Sequence, residues 1–217
     1  MTDVSRRLLL SGLAAAAAFP AMAADKTKVV PLKKLFPYLD AYYALPAASR
    51  TRFELVYRTT IVGAGAAGLR VAYVGAGERV AAALGPDGRI LRLPSLAMLK
   101  GGYKAELIAP DGAKVSLDMQ VEPSLRPAAE MDARELAAAV RQAADGVRKS
   151  AGVFGFAAPK MERVVFRGGQ GGVLVTAAGR TAPLAVVKGS PVFDPTPDAR
   201  WVRFTRRPTS MVIGPAK

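Results

Sequence analysis

From Phe53 onward the apolar residues recur at every second position, and that period limits what the chain can build. Phe53, Leu55 and Tyr57 alternate with Glu54, Val56 and Arg58; Leu69, Val71 and Tyr73 alternate with Arg70, Ala72 and Val74. A period of two lays one set of side chains on one face of a strand. Gly75-Ala76-Gly77 reads as a turn into a strand over 78–84. Asp87-Gly88 reads as a hairpin corner, after which Ile90, Leu91 and Leu93 continue the ladder. Two further strands, 103–109 and 114–121, flank a second Asp-Gly turn at 111–112. In the latter strand Leu117, Met119 and Val121 face one way and Asp118, Gln120 and Glu122 the other, which predicts an antiparallel meander with one wet face.

Two stretches break the period. Leu32, Leu35, Phe36, Leu39, Tyr42 and Tyr43 recur at helical spacing, and Pro37 suits a first helical position, so a short helix is expected over 37–45, closed by Pro46. The polar, basic residues 24–34 ahead of it read as an extended leader. The second stretch, 132–149, has an apolar stripe of Leu136, Val140, Ala143, Ala144 and Val147. Asp132 can cap it with Glu135 three places on, Arg148 and Lys149 suit its negative end, and Gly152 ends it. Strands are expected again near 161–167, 172–178, 182–188, 200–206 and 211–213.

The order helix, strands, Gly-Arg hairpin, long strand ending at proline occurs twice. Residues 52–58 match 160–167 with one insertion, Gly88-Arg89 echoes Gly179-Arg180, and the strands ending at Pro123 and Pro208 occupy similar places. The reading is an α+β protein of two related antiparallel β-meanders, each preceded by a helix, in a diverged duplication. The halves, 24–126 and 127–217, are each small enough that they should share one core.

The first residues read as an address. Ser5-Arg6-Arg7 precedes an apolar run from Leu8 to Phe19, then Pro20 and the small-x-small site Ala21-Met22-Ala23. A basic segment, a short apolar segment and such a site form a secretory signal, and the run is too short to span a bilayer, which needs about 20 residues. Ser5-Arg6-Arg7-Leu8-Leu9 resembles the twin-arginine export signal, with Leu9 where that signal usually has Phe, so the ordinary secretory route stays open. Cleavage is expected after Ala23, which places the protein in a periplasm or outside the cell. Beyond this leader the chain resembles uncharacterised exported proteins of proteobacteria, a resemblance that implies no activity.

The chain carries 31 Lys and Arg against 17 Asp and Glu, for a formal charge of +14, and loss of Asp3, Arg6 and Arg7 would leave +13. Such a charge suits an anionic neighbourhood, a membrane or envelope surface, a glycan or an acidic partner. Export removes nucleic acid from that set, and the plainer reading is that the charge serves solubility. There is no Cys and no His. Disulfides, thiolate nucleophiles, iron–sulfur clusters, Ser-His-Asp triads and His-based metal sites are thereby excluded. No Ser-x-x-Lys, Gly-x-Ser-x-Gly or phosphate-binding Gly-x-x-x-x-Gly-Lys motif is present. Asp118 and Glu122 share a face but lie about 13 Å apart along a strand, beyond the roughly 5–9.5 Å of a glycosidase pair, so they read as a solvated face.

Ile61-Val62-Gly63-Ala64-Gly65-Ala66-Ala67-Gly68 resembles the fingerprint of flavin- and NAD-binding Rossmann domains. There the glycines admit a pyrophosphate at a helix N-terminus, and an acidic residue about 20 places on takes the ribose. Gly63, Gly65, Gly68 and Asp87 would fill these roles. Against this stand the period of two over 69–74, the short run before Gly75, and the place of Asp87 in a hairpin corner. The segment is therefore expected to run loop then strand, with no cofactor, metal or catalytic residue assigned.

Trp201, Arg203, Thr205 and Arg207 share a face of the last long strand, with Val202 and Phe204 pointing inward. A Trp flanked by Arg can stack on a sugar or sit at headgroup level; alternatively Trp201 is core and the arginines keep an edge strand soluble. Lys100 and Lys104 around Gly101-Gly102 form a second basic loop. The expected function is a non-catalytic envelope binding or scaffold protein using Trp201, Arg203, Arg207, Lys100 and Lys104, in peripheral contact with an anionic surface or glycan. The alternatives are a small flavin- or NAD-dependent oxidoreductase and a carrier of an apolar ligand held between the two sheets.

Overall fold

The computed structural model describes residues 25–62, 68–151 and 160–216. Residues 1–23, expected to be an export signal, and Gly63, Gly65 and Gly152 lie outside them. The described residues form an α+β fold in which every paired strand is antiparallel. The first half runs β1 (Asp25–Pro31), α1 (Leu32–Leu35), α2 (Leu39–Ala44), β2 (Phe53–Val62), β3 (Arg70–Gly75), β4 (Glu78–Ala82), α3 (Leu96–Lys100), β5 (Lys104–Pro110) and β6 (Lys114–Pro123). The second runs β7 (Glu130–Asp132), α4 (Ala133–Ala151), β8 (Arg163–Arg167), β9 (Val173–Thr176), β10 (Thr181–Pro183), β11 (Ala185–Val187), β12 (Ser190–Phe193), β13 (Ala199–Arg203) and β14 (Ser210–Gly214).

Two four-stranded sheets have the orders β1-β5-β3-β4 and β7-β13-β9-β10. Taken strand by strand along the chain, these are the same order. The third sheet, β11-β12-β8-β14-β6-β2, joins the halves: β2 pairs with β6, β8 with β14, and the inner strands β6 and β14 meet at Val121 and Ile213. The counterpart of β2 is thus β8, as the match of 52–58 with 160–167 suggested. The other two echoes are displaced. Gly179 turns the β9–β10 hairpin, whose counterpart is the turn at Gly75-Ala76-Gly77, and the strand before Pro208 occupies the place of β5, not of β6.

A single core runs through both halves. It includes Leu39 of α2, Tyr57 of β2, Tyr73 of β3, Leu136 and Val140 of α4, Phe166 of β8, Phe193 of β12 and Val202 of β13. Phe36, between α1 and α2, sits edge-on to both buried tyrosines, 5.1 Å from Tyr57 and 5.8 Å from Tyr73 between ring centroids. Their hydroxyls donate to backbone carbonyls of Pro37 and Arg92. Burial raises the pKa of both phenols well above the ordinary value.

Several sequence expectations change. Residues 25–31 are not a leader: all seven pair with β5, because an edge strand needs only one apolar or neutral face and can be polar on the other. The first helical segment breaks in two around Pro37, and α2 starts at Leu39 after Tyr38 takes a left-handed φ of 64°. The Asp111-Gly112 turn does not close a hairpin, since β5 and β6 belong to different sheets. Asp132 does cap α4, accepting from the Arg134 N–H at 2.8 Å, but Glu135 turns away to pair with Arg52. That helix lies on β13 and β2, and Gly146 lets it approach the Phe53 ring, where an added Cβ would come within 2.7 Å.

The glycine-rich segments mark where chain passes between sheets. At 168–172 the path from β8 to β9 crosses the path from β13 to β14. Gln170 exchanges backbone hydrogen bonds with Thr205 and Arg206, and a Cβ on Gly171 would fall 2.3 Å from the Thr205 Oγ1. In the first half Gly68 stands at the matching place, where a Cβ would meet the Pro110 ring at 2.8 Å. After Gly68 the chain enters β3, paired on both sides, instead of the helix that a dinucleotide fingerprint requires.

Candidate functional site

The ten-residue ladder between β2 and β6 sets Glu54 opposite Glu122 and Arg58 opposite Asp118. These residues point away from the core face that holds Leu55, Tyr57 and Val121. Arg58 donates from Nη1 to the Glu122 Oε1 at 2.5 Å and to the Gln120 Oε1 at 2.9 Å, and from Nε to the Asp87 Oδ2 at 3.1 Å. Arg89 pairs with Glu54 at 2.8 Å and, more loosely, with Glu122 at 3.7 Å. The Arg58 and Glu122 side chains are 16% and 9% exposed. Burial works against the Arg58 charge, but the hydrogen bonds it donates to Glu122 and Asp87 outweigh it and raise its pKa. For Asp87, burial acts upward and is overcome by the Arg89 backbone N–H and the Arg58 guanidinium, so its carboxyl titrates below the ordinary range.

Asp87 and Arg89 come from the corner that the sequence marked as a hairpin. Gly85, Gly88 and Leu91 close it, and the whole corner lies flat on β2, with the Thr59 N–H donating to the Gly88 carbonyl at 2.9 Å. Gly88 has a φ of +77°, and a Cβ there would fall 2.3 Å from the Thr59 carbonyl oxygen, so only glycine fits this contact.

Beside the network opens a cleft of about 400 Å³, walled by the network itself, by the linker 124–127 and by Thr209 and Ser210 at the start of β14. A second cavity of about 260 Å³ adjoins it, sharing Ser124 and Leu125 and bounded by Arg52 and Glu135. The linker between the halves is therefore the common wall, and both halves contribute groups. Arg126, in that linker, is exposed and, among the described residues, has no carboxylate partner, unlike Arg58 and Arg89.

The residues singled out from the sequence lie elsewhere. Trp201 and Arg203 are on β13, which is an inner strand between β9 and β7, not an edge. Val202 and Phe204 are buried, as the alternation required. A bulge between Ala199 and Trp201 brings the Arg200 guanidinium 5.2 Å above the indole, and Arg203 is held by Glu130. Arg207 is exposed on the return to β14. Lys100 ends α3 and Lys104 opens β5 opposite Pro31 and Val74. The five candidates thus divide between the two halves of the chain, Lys100 and Lys104 in the first and Trp201, Arg203 and Arg207 in the second. Gly68 belongs to a chain crossing and Asp87 holds Arg58. Glu122, expected on a solvated face with Asp118, is 7% exposed because two arginines fold over it. Arg58, Arg89 and Arg126 do not stand out in the sequence as site residues; the one local signal is the pair of opposite charges, Glu54 and Arg58, on the outward face of β2.

Charge pairing is lopsided. All described carboxylates except Glu78, Asp118, Glu162 and Asp198 form ion pairs, whereas Lys28, Lys34, Lys100, Lys104, Arg200 and Arg207 have none. Among the described residues no three Asp or Glu side chains are grouped to hold a metal ion, and no helix is long and apolar enough to cross a membrane. Comparison with known protein families, curated proteins and solved structures gives no match.

Proposed function

We propose that the protein is an exported, non-catalytic binding protein whose basic surface meets an anionic component of the cell envelope. The observation that carries this reading is the lopsided pairing. The acids are spent on basic partners, so the excess positive charge faces water as unpartnered Lys and Arg. Each such side chain near an anionic lipid surface is worth about 1 kcal/mol of attraction. The leader at 1–23 supports an envelope location.

Two surfaces supply contacts. One is the end of the first small sheet, where Lys100 and Lys104 flank a glycine turn. There the Leu32 N–H donates to the Tyr103 carbonyl, α1 and α2 pack on α3, and Tyr38 is 65% exposed. The other is β13, with Trp201 under Arg200. A half-buried indole with a guanidinium over it suits the boundary between headgroups and water.

The test is co-sedimentation of the purified protein with vesicles of neutral lipid and of neutral lipid mixed with anionic lipid. Binding is expected only with the anionic lipid, and it should fall steeply as salt shortens the screening length from roughly 10 Å at 0.1 M to 3 Å at 1 M. Lys100→Glu with Lys104→Glu should weaken it further. Absent binding, or binding indifferent to salt, defeats the proposal.

A further inference from the structure

We infer that β6 is the seam of a homodimer, in which two copies of the chain pair antiparallel through residues 114–118 about a two-fold axis at Ser116. β6 lies between β14 and β2, but one of its sides is nearly empty. β2 pairs with all ten of its residues, whereas β14 meets it only at Val121. Beyond that point β14 leaves. The Gly214 carbonyl accepts from the Glu162 N–H, and the Ala216 N–H donates to the Glu162 Oε2 at 3.2 Å, so the chain end leans towards β8. The Ser124 N–H donates to the Arg52 carbonyl, so the even-numbered residues of β6 turn their N–H and C=O to β2 and the odd-numbered ones turn away. Among the described residues, nothing pairs with the backbone of Val115, Leu117 or Met119 on that side. One N–H and one C=O on each of them line an open edge, the kind of surface that takes up another strand.

Charge identifies the strand that fits. Lys114 and Asp118 are exposed on the outward face, and neither has an ion-pair partner among the described residues. In an antiparallel pair of β6 strands centred on Ser116, Lys114 stands opposite the partner's Asp118, and Asp118 opposite the partner's Lys114. Val115 and Leu117, whose backbone groups point to the open edge, then exchange hydrogen bonds with the partner's Leu117 and Val115. Their side chains meet on the inner face. Centring on Leu117 would set Lys114 against Gln120, and centring on Asp118 would set two carboxylates together, so the ion pairs choose the register. The outer edge of β1 offers no such match: Lys26 and Lys28 flank Thr27, and self-pairing there sets lysine against lysine. The β6 contact is short, a few backbone hydrogen bonds and the two ion pairs, so the dimer is weak, with a Kd of roughly 10 µM to 1 mM.

This inference is independent of the envelope reading, and the two can fail separately, since the experiment contains no lipid. It is sedimentation velocity of the purified full chain at low salt, from about 5 µM to about 1 mM, the span of the expected affinity. A dimer should grow in with concentration, and the Val115 and Leu117 amides should exchange with solvent more slowly in the dimer than in the monomer. Lys114→Asp and Asp118→Lys should each keep the fold, because both positions are exposed. Each should weaken dimerisation about tenfold or more, because like charges then face each other across the seam. Mixing the two variants sets unlike charges opposite again and should restore a dimer with one chain of each kind. Monomer throughout, a dimer indifferent to both variants, a mixture that stays monomeric, or Val115 and Leu117 amides already protected in the monomer would each overturn the inference.

Discussion

Arg58 and Glu122 meet across neighbouring strands with 2.5 Å between Nη1 and Oε1, and both are largely withdrawn from water. Glu122 also receives Arg89, so its removal takes an acceptor from two guanidinium groups at once and leaves Arg58 with Asp87 and Gln120 and Arg89 with Glu54. Breaking a buried pair from one side costs about 3–5 kcal/mol. Glu122→Ala is therefore expected to lower stability in urea by that order. The double variant Arg58→Met with Glu122→Leu should lose less than the two single changes together. A loss below about 1 kcal/mol for Glu122→Ala would place the pair in the class of surface contacts.

Asp132 joins β7 to α4 and titrates low. Hydrogen bonding from the Arg134 side chain, ahead of the opposing effect of burial, brings its pKa down to about 2. Unfolded, the same carboxyl takes up its proton near pH 3.9. Its contribution is thus complete above about pH 4 and fades as pH falls towards the folded value. Asp132→Asn keeps an oxygen for the helix cap but loses the charge, so thermal unfolding should show a shallower loss between about pH 4 and pH 2. Asp132→Ala should instead lose about 1 kcal/mol at neutral pH, the usual worth of an N-cap. An unchanged acid profile for the Asn variant would contradict this account.

Gly171 and Gly179 share a left-handed backbone, with φ of +61° and +76°, but only Gly171 is crowded, against Thr205. Alanine at either position bears the left-handed penalty of about 1 kcal/mol. Gly171→Ala should lose a further 1–3 kcal/mol or so from overpacking at the chain crossing. Equal losses in thermal unfolding would show that the crossing can yield.

Phe36 is 1% exposed and meets two buried tyrosine rings. Phe36→Ala is expected to lose about 3–5 kcal/mol. Tyr57→Phe removes only a hydroxyl that bonds to the Pro37 carbonyl, and should lose about 1 kcal/mol. Denaturant midpoints at a common slope distinguish the two, and a Tyr57→Phe loss equal to that of Phe36→Ala would refute the ranking.

Local pattern was enough for the elements. The alternation over Leu69 to Val74 survives as β3, the stripe from Leu136 to Val147 as α4, and the inward pair Val202 and Phe204 as core, because side-chain periodicity depends only on near neighbours along the chain. Partnership was another matter. Nothing near Lys26, Thr27 and Lys28 shows that they form a strand; β5, far along the chain, makes it one. The same holds for the turn at 111–112, which looks like any hairpin until β5 and β6 find separate sheets, and for the glycines at 168–172, whose purpose is visible only where two chain segments cross. Glu122 reads as a wet residue until Arg58 and Arg89 close over it. Burial, register and charge pairing are set by contacts between residues remote in sequence: the charge network took shape only when β2, β6 and the corner at 87–89 met, and the cleft beside it only when the start of β14 packed against the linker.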